Sequence, residues 1–304
     1  MIRKILFADL CLLFVALIWG LNPPVMKLAL YDVTPMVFNA LRMFVAAIAS
    51  GIILYATRSY KRFAPGDLWK LIKYSLIGYA GFQILLISRL RYTSSTNSAL
   101  IFALLPVSVL LIGRFSKAEK VSKAVLVGIS VSLGGVLLII INTGQSFSLA
   151  NNNLIGSMLL LIGQGFYGYY TVFSKDMLDK YSINQVSFFV ILFTCIFFLV
   201  VAIPDLWRTN LSQITSRALV CSLFSGVLSV SVGNFLWIWG TTIIGSTRTA
   251  VYSNVSPVFA AIGGYILLGE TITLLQVIGG VIIFVGLYLS KESPPATEIA
   301  IQPE

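Results

Sequence analysis

Ser246-Thr247-Arg248-Thr249-Ala250 opens a stretch that continues through Pro257, Gly264, Glu270, Gly279 and Gly286, and the same punctuation occurs once before. Ser95, Thr96, Ala99, Pro106, Gly113, Glu119, Gly128 and Gly135 stand 151 positions earlier, with no gap from Ser95 to Leu138. Upstream, Gly20/Gly168 and Lys27/Lys175 match at a spacing of 148, with Trp19 opposite Tyr167. Self-similarity at a fixed offset is the mark of a duplicated structural unit.

Working outward from the repeat, ten apolar runs cover 5–21, 35–55, 71–87, 98–112, 124–141, 154–173, 186–203, 219–239, 249–268 and 272–289. A helical crossing of the bilayer needs about 20 apolar residues. With 58% hydrophobic and only 11% charged residues, the 304-residue chain has no room for a soluble domain. The fold expected is an all-α polytopic membrane protein of ten transmembrane helices, the first run being an uncleaved helix and not a signal peptide. Five crossings per half make the second copy enter from the opposite face, so the repeats are inverted. Many secondary transporters are built this way, with the site near the midplane between the halves. The expected division is residues 1–145, residues 146–291 and a short disordered cytoplasmic tail, 292–304.

The net charge of +10 is better read as orientation than as nucleic-acid binding, because the Lys and Arg residues sit in short gaps between apolar runs. With the N-terminus inside, fifteen of them fall on the cytoplasmic side and five on the other, leaving Arg42 within a span. Both termini are therefore expected in the cytoplasm. Cys11, Cys195 and Cys221 lie in apolar runs and form no CxxC, so they read as packed thiols. Asn210-Leu211-Ser212 is a sequon that matters only in a secretory-pathway membrane, and a bacterial-type inner membrane is the expected location.

Trp19-Gly20 with Lys27, then Leu41-Arg42, resembles the start of an EamA repeat. Arg91 to Ser95 with Ala99, Pro106, Gly113, Glu119, Gly128 and Gly135 resembles its second part, and Ser246 to Ala250, Pro257, Leu268-Gly269-Glu270-Thr271, Gly279-Gly280 and Gly286 repeat it more faithfully. The first copy departs at Lys117-Ala118-Glu119-Lys120. The chain thus resembles the drug/metabolite transporter superfamily, with two EamA domains covering nearly its whole length. The resemblance implies a ten-helix carrier, an exporter or exchanger of small metabolites, without naming a substrate.

Polar side chains recur on single helix faces. Ser75, Tyr79 and Gln83 are four apart; Gln164, Tyr167, Thr171 and Ser174 follow at three or four; Ser231, Asn234 and Trp237 are three apart; Thr249, Ser253 and Ser256 share a stripe beside Tyr252 and Asn254. Such groups either line a cavity or bond neighbouring helices. The expected solute site is Tyr79, Gln83, Gln164, Tyr167, Asn234, Trp237 and Tyr252, an aromatic and amide wall suited to an amino acid or amine. Arg42 offers an alternative, an anionic metabolite or organic phosphate, or else serves as scaffold. Pro106 and Pro257 read either as paired hinges for alternating access or as static bends. Pro23-Pro24 is expected to break the end of the first helix.

The chain has no histidine, no GxxxxGK[ST] loop and no carboxylate at a mid-span position. Neither a metal centre nor a Ser nucleophile with an imidazole base can be assembled, so no enzyme, cofactor or metal is expected. Exchange or facilitated movement is expected in place of tight proton symport. The expected partners are a small solute and the bilayer, with no nucleic acid; the oligomeric state is left open. A receptor or scaffold is the reading from another class.

Overall fold

The computed structural model describes residues 2–90, 105–115, 122–141, 151–209, 214–269 and 273–290. Arg91 to Ala99 of the first repeat copy, Glu119, Glu270, the Asn210 sequon and the tail from residue 292 lie outside the described residues. Among the described residues there are helices and no strands. Apart from two short helices, Lys175–Leu178 and Ile203–Arg208, they form ten rods: α1 (Ile2–Ala29), α2 (Pro35–Thr57), α3 (Asp67 to Leu90), α4 (Leu105–Phe115), α5 (Lys123–Ile141), α6 (Asn151–Phe173), α7 (Ile183–Val201), α8 (Ser216 to Ile244), α9 (Ser246 to Leu268) and α10 (Leu274–Ser290). Six of these, α1, α2, α3, α7, α8 and α9, are long and apolar enough to cross a membrane. The outer surface exposes Leu6, Leu10, Ile48, Ile52, Val200 and Val281, an apolar coat that suits a bilayer. The chain is an all-α, polytopic membrane protein.

Hydroxyl caps start the rods at the connections. Thr34 accepts from the Val37 N–H, Ser182 from Gln185 and Thr215 from Ala218, each a cap of about 1 kcal/mol. The connections sort to two ends of the molecule. At one end Gln185 brackets Lys61, with Lys61 N–H donating to Oε1 at 2.8 Å and Nε2 donating to Lys61 O at 2.6 Å, while Lys180 pairs with Asp67 at 3.1 Å. At the other end Arg217 pairs with Asp32, and the Thr34 hydroxyl donates to Asp205 at 2.8 Å. These ties join the α2–α3 turn to the α6–α7 turn and the α1–α2 turn to the α7–α8 segment, as alternate crossings require.

The repeats pack on each other in exchange-symmetric pairs. α1 packs on α8 and α9, and its counterpart α6 packs on α3 and α4. α5 packs on α10, and α2 on α7. At the α5–α10 seam a Cβ on Gly128 would fall 2.6 Å from Gly286 O, and one on Gly135 would fall 2.5 Å from Gly279 O. The glycines therefore let backbone meet backbone. The low-numbered end of one helix meets the high-numbered end of the other, so the two run antiparallel, as inverted repeats demand.

Two rods carry matched irregularities. α3 is π-helical over Tyr74–Ala80 and α8 over Phe224–Val232, the same place in each repeat. Such segments widen a helix locally and recur at functional sites. α9 contains a 3-10 turn, Tyr252–Val255, just before Ser256–Leu268. Pro257 thus sits at the start of an α-helical segment, where its missing N–H removes no helical bond; Pro106 lies in α4, next to residues outside the described ones. Pro23-Pro24 does not end the first helix as expected: α1 continues to Ala29. Packing holds it, for a Cβ on Gly263 of α9 would lie 3.3 Å from the Pro24 ring.

Candidate functional site

Arg42 projects from α2 into the protein interior with 1% of its surface exposed. Its Nε donates to Asn39 Oδ1 at 2.5 Å, Nη1 to Ser225 Oγ at 3.1 Å and to Met26 Sδ at 3.4 Å, and Nη2 to Gln83 Oε1 at 2.6 Å. No carboxylate of the described residues pairs with it. A buried charge is normally paired, so a guanidinium held only by neutral groups leaves anion-binding capacity unspent.

This guanidinium lines a cavity of about 30 Å³ shared by Trp19, Asn22, Tyr79, Phe82, Gln83, Leu86, Tyr167, Ser229 and Val230. Both repeats contribute, and so do both π-helical segments: Tyr79 comes from α3, and Ser229 and Val230 come from α8. Close packing seats each segment against a neighbouring helix, one on α2 and the other on α6. A Cβ on Gly226 would fall 2.5 Å from Arg42 O, and one on Gly78 would fall 2.7 Å from the Tyr170 Cβ. The aromatic wall is contiguous, with ring centroids 5.8 Å apart for Trp19–Tyr167, 4.8 Å for Phe82–Tyr167 and 6.0 Å for Tyr79–Tyr167. Trp19 is fixed by its indole N–H, which donates to Ser229 O at 3.0 Å. A metabolite pocket needs roughly 300 Å³ or more, so the site is contracted and the rods must part to admit a solute.

The structure gathers Arg42, Tyr79, Gln83 and Tyr167 around this cavity. Trp237 stands one layer behind, its ring 4.8 Å from that of Trp19 and its N–H donating to Thr171 Oγ1 at 3.2 Å. Asn234 is engaged elsewhere, accepting from Tyr170 O–H and donating to Ser187 Oγ, both at 2.7 Å. Tyr252 donates from its hydroxyl to Asp9, which also pairs with Arg248 at 3.7 Å. Arg248, read from the sequence as a connection charge, is buried in this tie between α1 and α9. Gln164 is 1% exposed, and neither atom of its amide has a partner among the described residues. Sequence reading did not name Asn22, Phe82 or Ser229; the signal available was an Asn placed directly before Pro23-Pro24. Among the described residues no three His, Cys, Asp or Glu are grouped to hold a metal.

The family model of EamA-like transporters matches twice, at residues 6–141 and 154–291. The chain belongs to the EamA-like transporter family. Its EamA relatives include the "Uncharacterized transporter YoaV" of Bacillus subtilis, 25% identical over 91% of this chain and 94% of the relative. The "Probable amino-acid metabolite efflux pump" of Escherichia coli is 26% identical over 91% and 92% of the two chains. A solved crystal structure shares the fold with a TM-score of 0.76, at 16% identity over 93% of this chain and 96% of that one. These EamA relatives are named as transporters and not as enzymes.

Proposed function

We propose that the protein is a secondary transporter that exports or exchanges a small amphipathic metabolite bearing a carboxylate, by alternating access at the Arg42 cavity between the repeats. The observation that carries this reading is the buried guanidinium in the cavity wall, whose partners among the described residues are all neutral. Beside it, the rings of Trp19, Phe82 and Tyr167 offer an apolar surface to the rest of the solute. Of the classes expected from sequence, an amine fits less well, because its charge would meet another cation. An organic phosphate, with two charges, would face one arginine. The efflux pump of Escherichia coli supports an outward direction and an amino-acid-related solute.

The carrier is proposed to lie in a bacterial-type inner membrane with both termini cytoplasmic, its repeats dividing at 145/146, and with Pro106 and Pro257 at the points where α4 and α9 bend during the cycle. Exchange is favoured over proton symport because the buried Asp9 is already engaged by Tyr252 and Arg248. Proteoliposomes preloaded with branched or aromatic carboxylates should take up the labelled acid by counterflow without a pH gradient. Counterflow of the matching amines with no response to the acids would overturn the reading.

A further inference from the structure

Asn22 is the polar group of the cavity wall that the proposed function leaves without a task. It is 5% exposed; its Nδ2 donates to Met26 Sδ at 3.1 Å, and its Oδ1 has no partner among the described residues. A thioether can only accept, and accepts weakly, so the sulfur takes the NH₂ end of the amide and leaves the carbonyl unsatisfied. A buried acceptor without a donor is costly. The same sulfur also receives Arg42 Nη1 at 3.4 Å, which places the Asn22 amide nitrogen and Nη1 at most 6.5 Å apart. Of the five guanidinium hydrogens, one goes to Asn39, one to Ser225, one to Gln83 and one to the sulfur, so one on Nη2 remains. The two Nη groups together therefore keep one unused hydrogen and one weakly used hydrogen to offer a carboxylate.

We propose, resting on the carboxylate reading above, that Asn22 sets specificity by accepting a hydrogen bond from the substituent on the carbon next to the solute's carboxylate. Arg42 holds the carboxylate, and Asn22 demands a donor beside it. The site then takes 2-hydroxy or 2-amino acids and rejects 2-oxo acids, whose carbonyl would face the Asn22 carbonyl with no proton between them. Both accepted classes share this donor chemistry. Charge separates them: a 2-hydroxy acid neutralises the buried guanidinium, whereas a zwitterion leaves one positive charge uncompensated unless the faces of Trp19 and Tyr167 receive the ammonium.

The test uses one carbon skeleton: L-leucine, L-2-hydroxy-4-methylpentanoate, 4-methyl-2-oxopentanoate and 4-methylpentanoate, titrated against the purified full chain in nanodiscs. At least one of the first two should bind about tenfold more tightly than the last two, a site built around a hydrogen bond being intolerant of analogues that lack it. Asn22→Leu and Asn22→Ala should erase that difference while leaving 4-methylpentanoate within about twofold, which also reports that the variants fold. Equal binding of all four by the wild type, or equal weakening of all four in both variants, would overturn the role of Asn22 and leave the carboxylate reading standing. Binding of none of the four would overturn both.

Discussion

Ser132 Oγ donates to the carbonyl oxygen of Ile283 at 3.4 Å, and these two residues occupy the same position in the two repeats, 151 apart. A residue meets its own counterpart only on a two-fold axis, so the α5–α10 seam marks the axis relating the repeats. A Cβ on Gly135 would lie 2.5 Å from Gly279 O and 2.9 Å from Ile283 N, backbone atoms that cannot step aside, whereas one on Gly134 would meet nothing. Gly135→Ala should cost about 1–3 kcal/mol, the usual range for overpacking. Gly134→Ala should be neutral or slightly stabilising. Melting of both variants in one detergent checks the contrast.

The two glutamines proposed from the sequence should behave differently. Gln83 accepts from Arg42, so Gln83→Ala should lower both solute affinity and melting temperature. Gln164 has no partner for either amide atom, and replacing an unsatisfied buried amide by an apolar group of similar shape relieves a penalty of about 1–3 kcal/mol. Gln164→Leu should therefore raise thermal stability. A destabilised Gln164→Leu would contradict the packing described.

Asp32, in the α1–α2 turn, has its carboxyl lowered from 3.8 to about 2, first by the hydrogen bond from Arg217 and then by that from Thr215. A carboxyl depressed in the folded state contributes stability above its unfolded value and loses it as pH falls through the folded one. The charge-dependent part of the stability difference between wild type and Asp32→Asn should be full well above pH 3.8, shrink as pH falls from there, and be lost only below about pH 2. Melting curves across that interval measure it.

Topology can be read from two exposed tyrosines. Tyr31 is 74% exposed at the end where Asp32 meets Arg217, and Tyr60 is 58% exposed at the end where Lys61 meets Gln185. In a cysteine-free background, Tyr31→Cys should label from outside the cell and Tyr60→Cys only after permeabilisation. Labelling of Tyr60→Cys from outside would reverse the proposed orientation.

The inverted duplication was legible because glycine recurs where backbones meet, as at Gly128 against Gly286 and Gly135 against Gly279, and that demand leaves a mark at a fixed offset. The polar stripes were legible too, and Tyr79, Gln83, Tyr167 and Arg42 do converge. Spacing, however, assigns a residue to a helix face and not to a neighbour. Asn234 lies on such a stripe and Tyr252 beside one, yet α8 turns Asn234 to Tyr170 and Ser187, and α9 turns Tyr252 to Asp9. Asn22 was hidden by its position beside two prolines, read as the end of a helix that in fact continues. The π-helical segments left no trace, since Tyr74–Ala80 and Phe224–Val232 have ordinary apolar composition and widen only under tertiary packing.

The most direct measurement of the central claim compares a carboxylate with its uncharged amide against wild type and Arg42→Gln, by titration of the folded chain. A charge-assisted bond to a buried guanidinium is worth about 1.5–3 kcal/mol. The wild type should prefer 4-methylpentanoate to 4-methylpentanamide by at least about tenfold, and Arg42→Gln should bind the two alike. A folded Arg42→Gln that keeps the wild-type preference would place the solute away from Arg42 and contradict the account.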